Sequence, residues 1–145
     1  MVRYNDESVL NSIYKNAKSG AQAISDIFGK ASDQRFKSDL RTQEHEYNSI
    51  ASDAAVQLSS FGRSPEPLSP TQKIGMKIGV EMNTLTESNT SHLAELMVKG
   101  SNNGILTLTK VLNGYPDPNP QVKSLADRLL TAEHQNLERM KEYLK

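Results

Sequence analysis

The sequence predicts an all-α fold, a bundle of four helices arranged as two antiparallel hairpins. Apolar residues recur at three- and four-residue steps in four long segments, which is the spacing of amphipathic helices. Each segment comes to roughly 23–30 residues, or about 35–45 Å as a helix. The prolines are concentrated in two short stretches between segments, where they interrupt helices. The matched lengths favour a single domain over residues 1–145.

The composition excludes several classes of function. The chain has 145 residues and no cysteine, so disulfides, thiolate metal sites and a cysteine nucleophile are excluded. Lys+Arg and Asp+Glu both total 17, which gives no electrostatic reason to bind nucleic acid or anionic lipid. No apolar run approaches the roughly 20 residues of a membrane span. We therefore expect a cytoplasmic protein with no nucleic-acid partner and no membrane span.

The first hairpin is predicted to pair a helix over residues 5–30 with one over residues 32–61. Ser32 is expected to cap the second helix, because a serine side chain can accept hydrogen bonds from first-turn N–H groups. The first helix has a small apolar face in its middle, which leaves room for a close neighbour or a large side chain opposite. The inner face of the second helix is expected to comprise Phe36, Leu40, Glu44, Tyr47, Ile50, Ala54, Leu58 and Phe61.

The connection between the hairpins begins with GRSPEPLSP at residues 62–70, which cannot continue a helix. A short amphipathic helix is predicted over residues 70–85. The poor helix formers at residues 86–91 predict a break after it. The alternative is one unbroken helix over residues 70–113, which would be about 65 Å long and large for this bundle.

The second hairpin is predicted to pair a helix over residues 90–112 with one that Asn119 caps and Pro120 begins. The proline-rich residues 116–120 separate the two. The inner face of the third helix is expected to comprise Leu93, Leu96, Met97, Gly100, Asn103, Gly104, Thr107, Leu108 and Val111. The fourth helix carries its stripe over residues 125–144, at Leu125, Leu129, Ala132, Leu137, Met140 and Leu144, with Glu133 and Asn136 inside it.

Three stretches of the chain resemble a known group of proteins. They are YKNAKSGAQAI at residues 14–24, SHLAELMVKGSNNGI at residues 91–105 and LADRLLTAEHQNLERMKEYL at residues 125–144. These stretches are similar to uncharacterised bacterial proteins of the ferritin-like superfamily, near the spore-coat-related families of clostridia and bacilli. The resemblance implies a ferritin-like four-helix bundle with a short extra helix between helices 2 and 3. It also implies a structural role in an assembly, with spore association as an alternative to the cytoplasm.

Glu44 and Glu133 are the candidate metal ligands. Di-iron carboxylate bundles place one Glu on each of two helices and a Glu-x-x-His on each of the others. This chain has Glu44-x-x-Tyr47 and Glu133-x-x-Asn136, so both glutamates match and both histidines are replaced. A histidine follows each glutamate directly, but one residue turns it about 100° away.

The remaining two helices lack the ligands that such a site requires. The first helix offers Ala17 and Gly20 at mid-length, and the third offers Gly100 and Asn103. Glu95 lies about a turn too early. The sequence therefore favours a non-catalytic bundle without a cofactor, and an iron- or manganese-dependent oxidase or metal store is the alternative.

Glu44 and Glu133 also have two structural interpretations. They can form a buried polar layer in which Tyr47 and Asn136 hydrogen-bond the carboxylates and fix the register of the bundle. Alternatively, they lie at the solvated edge of a helical face. A third function, small-molecule binding, would use the space beside the small residues of the first and third helices. An apolar strip exposed on the helix predicted over residues 70–85 would favour a homo-oligomer.

Overall fold

Four α-helices form the structure, a computed structural model that describes residues 4–68 and 89–145. They are α1 (Tyr4–Phe28), α2 (Gln34–Ser60), α3 (Thr90–Gly114) and α4 (Pro120–Lys141), and the described ranges contain no strand. The prediction of an all-α four-helix bundle is confirmed. The short helix predicted over residues 70–85 lies outside the described residues.

The directions of the helices follow from contacts at the two ends of the bundle. The rings of Phe36 and Tyr143 meet edge to face at 5.1 Å between centroids, and Gln57 approaches the carbonyl of Gln121 at the opposite end. α2 and α4 are therefore antiparallel. The backbone N–H of Asn119 donates to Asp6 at 2.7 Å, so α1 and α4 begin at the same end.

The start of α3 lies beside the end of α4, where the backbone N–H of Lys145 donates to Ser91 at 3.0 Å. α2 and α3 therefore run in the same direction, opposite to α1 and α4. The end of α2 and the start of α3 are at opposite ends of the bundle. Two antiparallel hairpins with one long connection between them are the arrangement that the sequence predicts.

The helix caps confirm most predicted starts and correct one. Asn119 accepts a hydrogen bond from the backbone N–H of Gln121 and Pro120 is the first residue of α4, as predicted. In α2 the cap is Asp33, whose carboxylate accepts from the N–H of Phe36 at 2.8 Å, and the prediction of Ser32 is wrong. An aspartate at this position also places its negative charge at the positive end of the helix dipole.

Asn89 decides between the predicted break over residues 86–91 and the alternative of one unbroken helix over residues 70–113. Its backbone is extended, and its side chain accepts from the N–H of His92 at 2.8 Å. α3 therefore begins at Thr90, and the unbroken helix over residues 70–113 is wrong. Residues 86–88 of the predicted break lie outside the described part of the chain.

The core lies along the bundle axis and is built mainly from Leu, Ile and Ala. In α3 the buried stripe includes Ala94 and Ser101, whereas Asn103 and Thr107, both predicted to face inward, are exposed. Its inner face is therefore rotated relative to the predicted one. The fully buried large side chains are Leu10, Ile13, Ile24, Ile27, Phe36, Leu40, Ile50, Leu58, Leu93, Leu96, Leu108 and Leu129.

The C-terminal residues differ from the prediction. α4 ends at Lys141, and Leu144 is 42% exposed instead of lying on the inner stripe. Tyr143 packs on Phe36 in its place and donates a hydrogen bond to Asp39. The chain leaves the helix two residues before Tyr143, so the helical spacing no longer determines which side chain faces inward. None of the four described helices has an apolar stretch long enough to span a bilayer.

Candidate functional site

A polar cluster lies in the middle of the bundle, with one side chain from each helix. Asn16 of α1, Tyr47 of α2, Ser101 of α3 and Glu133 of α4 border a small cavity of about 10 Å³. The rest of the described core consists largely of apolar side chains. This cluster is the candidate functional site.

Glu133 is the acidic residue of the cluster and is only 5% exposed. The Tyr47 hydroxyl donates a hydrogen bond to Glu133 Oε1. Burial raises the pKa of Glu133 to about 8, because a carboxylate loses its hydration in the interior. Burial is the cause of this shift, and no charged neighbour in the described part of the chain contributes to it. The predicted interior position of Glu133 is confirmed.

Two glycines make the space for Tyr47 and Glu133. A Cβ atom at Gly20 would lie 2.8 Å from ring carbons of Tyr47, which is closer than van der Waals contact allows. A Cβ atom at Gly104 would overlap Glu133 Oε2. The small residues predicted to leave room for a large side chain opposite therefore do so, for the ring at Gly20 and for the carboxyl group at Gly104.

Glu44 does not join Glu133 in the interior. Its side chain is 23% exposed and pairs with Arg41, with 3.1 Å between Arg41 Nη1 and Glu44 Oε1. The inner face of α2 includes Gln43, which is 4% exposed, and continues to Tyr47. Glu44 is therefore not part of a buried layer, and the alternative that places it at the edge of the helical face is confirmed, because the face is rotated toward the preceding residue.

Several buried polar atoms in the cluster and on the inner face of α4 have no hydrogen-bond partner within the described structure. They include Asn16 Nδ2, Ser101 Oγ and Asn136 Nδ2. Asn136 is buried as predicted, but its amide nitrogen donates to no carboxylate. The predicted polar layer is therefore confirmed for the pair of Tyr47 and Glu133, and wrong for Glu44 and for the amide of Asn136.

The described residues do not form a dinuclear metal site. Over residues 4–68 and 89–145, no three side chains of His, Cys, Asp or Glu converge as metal ligands. A di-iron site needs several carboxylates to bridge and neutralise two cations. Glu133 supplies one, and Glu44 pairs with Arg41 and is not part of the buried core. The residues present do not fit a pair of iron or manganese ions.

Sequence reasoning missed Asn16, Ser101 and Gln43. Asn16 follows Ile13 by three residues and precedes Gly20 by four, so it falls on the inner stripe of α1. Ser101 follows Met97 by four and precedes Gly104 by three. The signal that could have found them is a small polar residue at helical spacing between two buried positions.

Comparison with known proteins identifies the fold. No protein-family model matches the sequence, and no curated protein is similar to it. The chain is similar in structure to a crystal structure of a DUF305 fragment from Deinococcus radiodurans, with a TM-score of 0.76 and 14% identity over 97% of this chain and 95% of that one. It is also similar to the conserved hypothetical protein rv2844 from Mycobacterium tuberculosis, with a TM-score of 0.75 and 14% identity over 99% of this chain and 100% of that one. At this identity the two structures show the fold alone, and the resemblance to spore-coat-related proteins stays a prediction.

Proposed function

We propose that this chain is a non-catalytic helical bundle with a structural role in an assembly, like the coat-type ferritin-like proteins that its sequence resembles. The observation that carries the proposal is how the Glu133 side chain is packed in the interior. Its carboxyl group accepts the Tyr47 hydrogen bond and fills the space above Gly104, so it acts as a packing element of the bundle. From the same resemblance, we propose a cytoplasmic or spore-associated location.

The contacts between α2 and α4 also support a structural role. Arg128 of α4 donates to Glu46 at 2.8 Å, to Ser49 at 2.8 Å and to Asp53 at 2.6 Å, so one guanidinium group contacts three side chains of α2. The hydrogen bonds to Glu46 and Asp53 raise the pKa of Arg128 above its ordinary value, with Glu46 as the largest cause. A planar group held at three points fixes the two helices in one register.

A homo-oligomer is part of this proposal, because a coat component must contact its copies. Val56 of α2 is 64% exposed and Leu106 of α3 is 54% exposed, and both are large apolar side chains on the bundle surface. Sedimentation velocity over a range of protein concentrations tests this part. A concentration-dependent dimer or larger species supports it, and a monomer at every concentration contradicts it.

The alternative is a dinuclear iron or manganese protein with an atypical site. The observation in its favour is that Glu133 lies in the middle of the bundle, with polar side chains from the other three helices around it. This alternative requires further acidic ligands beyond those that the described residues bring to Glu133.

Metal loading distinguishes the two functions. Purified protein is incubated with excess Fe²⁺ or Mn²⁺, desalted, and analysed by inductively coupled plasma mass spectrometry beside Glu133→Ala and Glu44→Gln. The structural proposal expects far less than one ion per chain in all three proteins. A stoichiometric content in the wild type that Glu133→Ala removes would overturn the proposal and establish the alternative.

A further inference from the structure

The cavity beside Glu133 contains polar atoms that the bundle itself leaves unsatisfied. Ser101 is 2% exposed, and its hydroxyl has no hydrogen-bond partner in the described part of the chain. The amide nitrogen of Asn16, which also lines the cavity, is buried and has no partner among the described residues. Buried polar groups almost always have a partner, since leaving one without a partner is unfavourable. A cavity with such walls is suited to a polar occupant.

The charge of Glu133 indicates what kind of occupant balances the site. A carboxylate in the interior needs a counter-charge or a proton. The shift of its pKa has burial as its cause, and no basic group of residues 4–68 or 89–145 contributes to it. The basic side chains that contact acids are engaged elsewhere: Arg128 with Glu46 and Asp53, and Lys15 with Glu66. A positively charged occupant would supply the missing counter-charge.

The size of the cavity and the oxygen atoms that line it further restrict which cation can bind there. A volume of about 10 Å³ admits one particle the size of a water molecule. Glu133, Tyr47 and Ser101 present oxygen atoms, and a 180° turn of the Asn16 amide would exchange its unpartnered nitrogen for an oxygen. Oxygen ligands bind hard cations. One carboxylate neutralises a monovalent cation, whereas a divalent cation would leave a net buried charge.

We propose that the cavity at the bundle centre binds one monovalent cation of about the size of a water molecule, potassium or ammonium, between Glu133 and Ser101. The neutral oxygens of Tyr47 and Asn16 complete the coordination of potassium or accept the N–H groups of ammonium. Gly20 and Gly100 border the cavity on α1 and α3 and are partly exposed, so the site lies next to the groove between these helices. This site goes beyond the structural role and does not depend on it.

Thermal unfolding in different chloride salts tests the proposal. The wild type is unfolded at constant ionic strength in potassium, ammonium, sodium or choline chloride, at a pH above the pKa of Glu133. Choline is too large for the cavity. At about a hundredfold above Kd, a cation that binds only the folded state raises Tm by about 5 °C or more. We expect Tm to rise to a plateau with increasing potassium or ammonium chloride, relative to choline chloride. The salt that raises Tm more identifies which of the two cations occupies the cavity.

Three variants show whether the response comes from this cavity. Glu133→Gln keeps the shape and can still accept the Tyr47 hydrogen bond, but it removes the charge and should abolish the difference between salts. Ser101→Ala should weaken the response, so that more cation is needed for the same Tm. Glu44→Gln removes an exposed acid of the same type and should respond like the wild type. Equal Tm values in all four salts, or an undiminished response in Glu133→Gln, would overturn the proposal.

Crystals soaked with thallous ion provide a direct observation. Thallous ion has the charge and nearly the size of potassium and scatters anomalously. The proposal expects an anomalous peak between Glu133 and Ser101 that is absent from Glu133→Gln. A cavity that contains only water in the wild type contradicts it. Iron or manganese loading tests the proposed function separately, so either proposal can fail while the other holds.

Discussion

At the scale of single residues, the bundle depends on two glycines that face two large side chains. Gly20 accommodates the Tyr47 ring, and Gly104 accommodates the Glu133 carboxyl group. The hydrogen bond between Tyr47 and Glu133 couples these two contacts across the interior. A side chain added at either glycine would therefore disturb both halves of the pair.

Gly104→Ala is expected to lower the free energy of unfolding by about 2 kcal/mol, within the range for overpacked interiors. The added methyl group would overlap Glu133 Oε2, and moving the carboxyl group would break its hydrogen bond with Tyr47. The matched control is Gly114→Ala at the end of α3, where nothing lies within 4 Å of the added atom. That variant should be neutral or more stable by a few tenths of a kcal/mol, because alanine favours the helix. Urea denaturation of both proteins measures the difference.

A double-mutant cycle identifies the physical cause of the Gly104→Ala effect. In a Glu133→Ala background the carboxyl group is absent, so the penalty of Gly104→Ala should largely disappear. A penalty of equal size in both backgrounds would mean that the methyl group meets something other than Glu133.

At the scale of helices, local capping chemistry determines where each element begins. Asp33, Asn89 and Asn119 each accept a hydrogen bond from a backbone N–H in the first turn of their helices. The cap at Asn119 follows directly from the sequence, since Asn119 precedes Pro120, whereas for residues 86–91 the sequence predicts only a break and does not identify Asn89 as the cap. Ser32 and Asp33 are both good capping residues, and the sequence alone does not decide between neighbours.

Asp33→Ala is expected to cost about 1 kcal/mol of stability, and Ser32→Ala close to nothing. Asp33 accepts from the N–H of Phe36, whereas Ser32 is exposed and lies outside α2. Chemical denaturation of the two alanine variants measures the difference. A larger loss for Ser32→Ala than for Asp33→Ala would place the start of α2 one residue earlier.

The C-terminal residues give a second comparison of neighbours. Tyr143 packs on Phe36, donates to Asp39 at 2.5 Å and lies 5.4 Å from the Arg35 guanidinium. Burial and the hydrogen bond to Asp39 raise the pKa of Tyr143 to about 12. Tyr143→Ala should therefore cost about 2 kcal/mol, and Leu144→Ala should stay within about 0.5 kcal/mol of the wild type. Thermal unfolding monitored by circular dichroism checks both, and equal losses would contradict this packing.

The comparison of adjacent residues also explains which features could be predicted from the sequence and which could not. The four long segments, the cap at Asn119 and the interior position of Glu133 were predictable, because helical spacing and proline positions are local signals. Which of two adjacent residues faces inward was not, as Gln43 beside Glu44 and Tyr143 beside Leu144 demonstrate. An inner stripe is about 100° wide and one residue turns the helix by about the same angle, so packing against the other helices decides the residues at its edge.

At the scale of the whole molecule, the balance of charges conceals a buried acid, Glu133, that has no charged partner among the described residues. The chain has equal numbers of acidic and basic residues, and its surface acids have basic partners such as Arg41, Arg128 and Arg139. Glu133 is buried, and none of the basic groups that the structure describes contributes to its pKa. The pH dependence of global stability should therefore carry a contribution from the interior as well as from the surface.

This contribution has a definite sign. The pKa of Glu133 is about 8 in the folded protein and about 4.5 in an unfolded chain, so the folded state holds its proton more tightly. Below pH 4.5 Glu133 is protonated in both states, and its burial does not make the free energy of unfolding depend on pH. As pH rises from 4.5 toward 8, the unfolded state loses its proton first and the free energy of unfolding falls, by an amount on the order of 4–5 kcal/mol in total. Above pH 8 the loss is complete.

Glu133→Gln should remove this pH dependence, because glutamine stays neutral in both states. Urea denaturation of the wild type and the variant across this pH range, in buffers without potassium or ammonium, gives the free-energy difference between them. Taking the difference cancels the surface carboxylates, which titrate alike in both proteins, and Glu44→Gln controls for removal of an exposed acid. The variant should gain stability over the wild type as pH rises from 4.5 toward 8, and it should keep this advantage above pH 8. A difference that stays constant with pH would mean that the carboxyl group has the same environment in the folded and unfolded states, and the interior position of Glu133 would then be wrong.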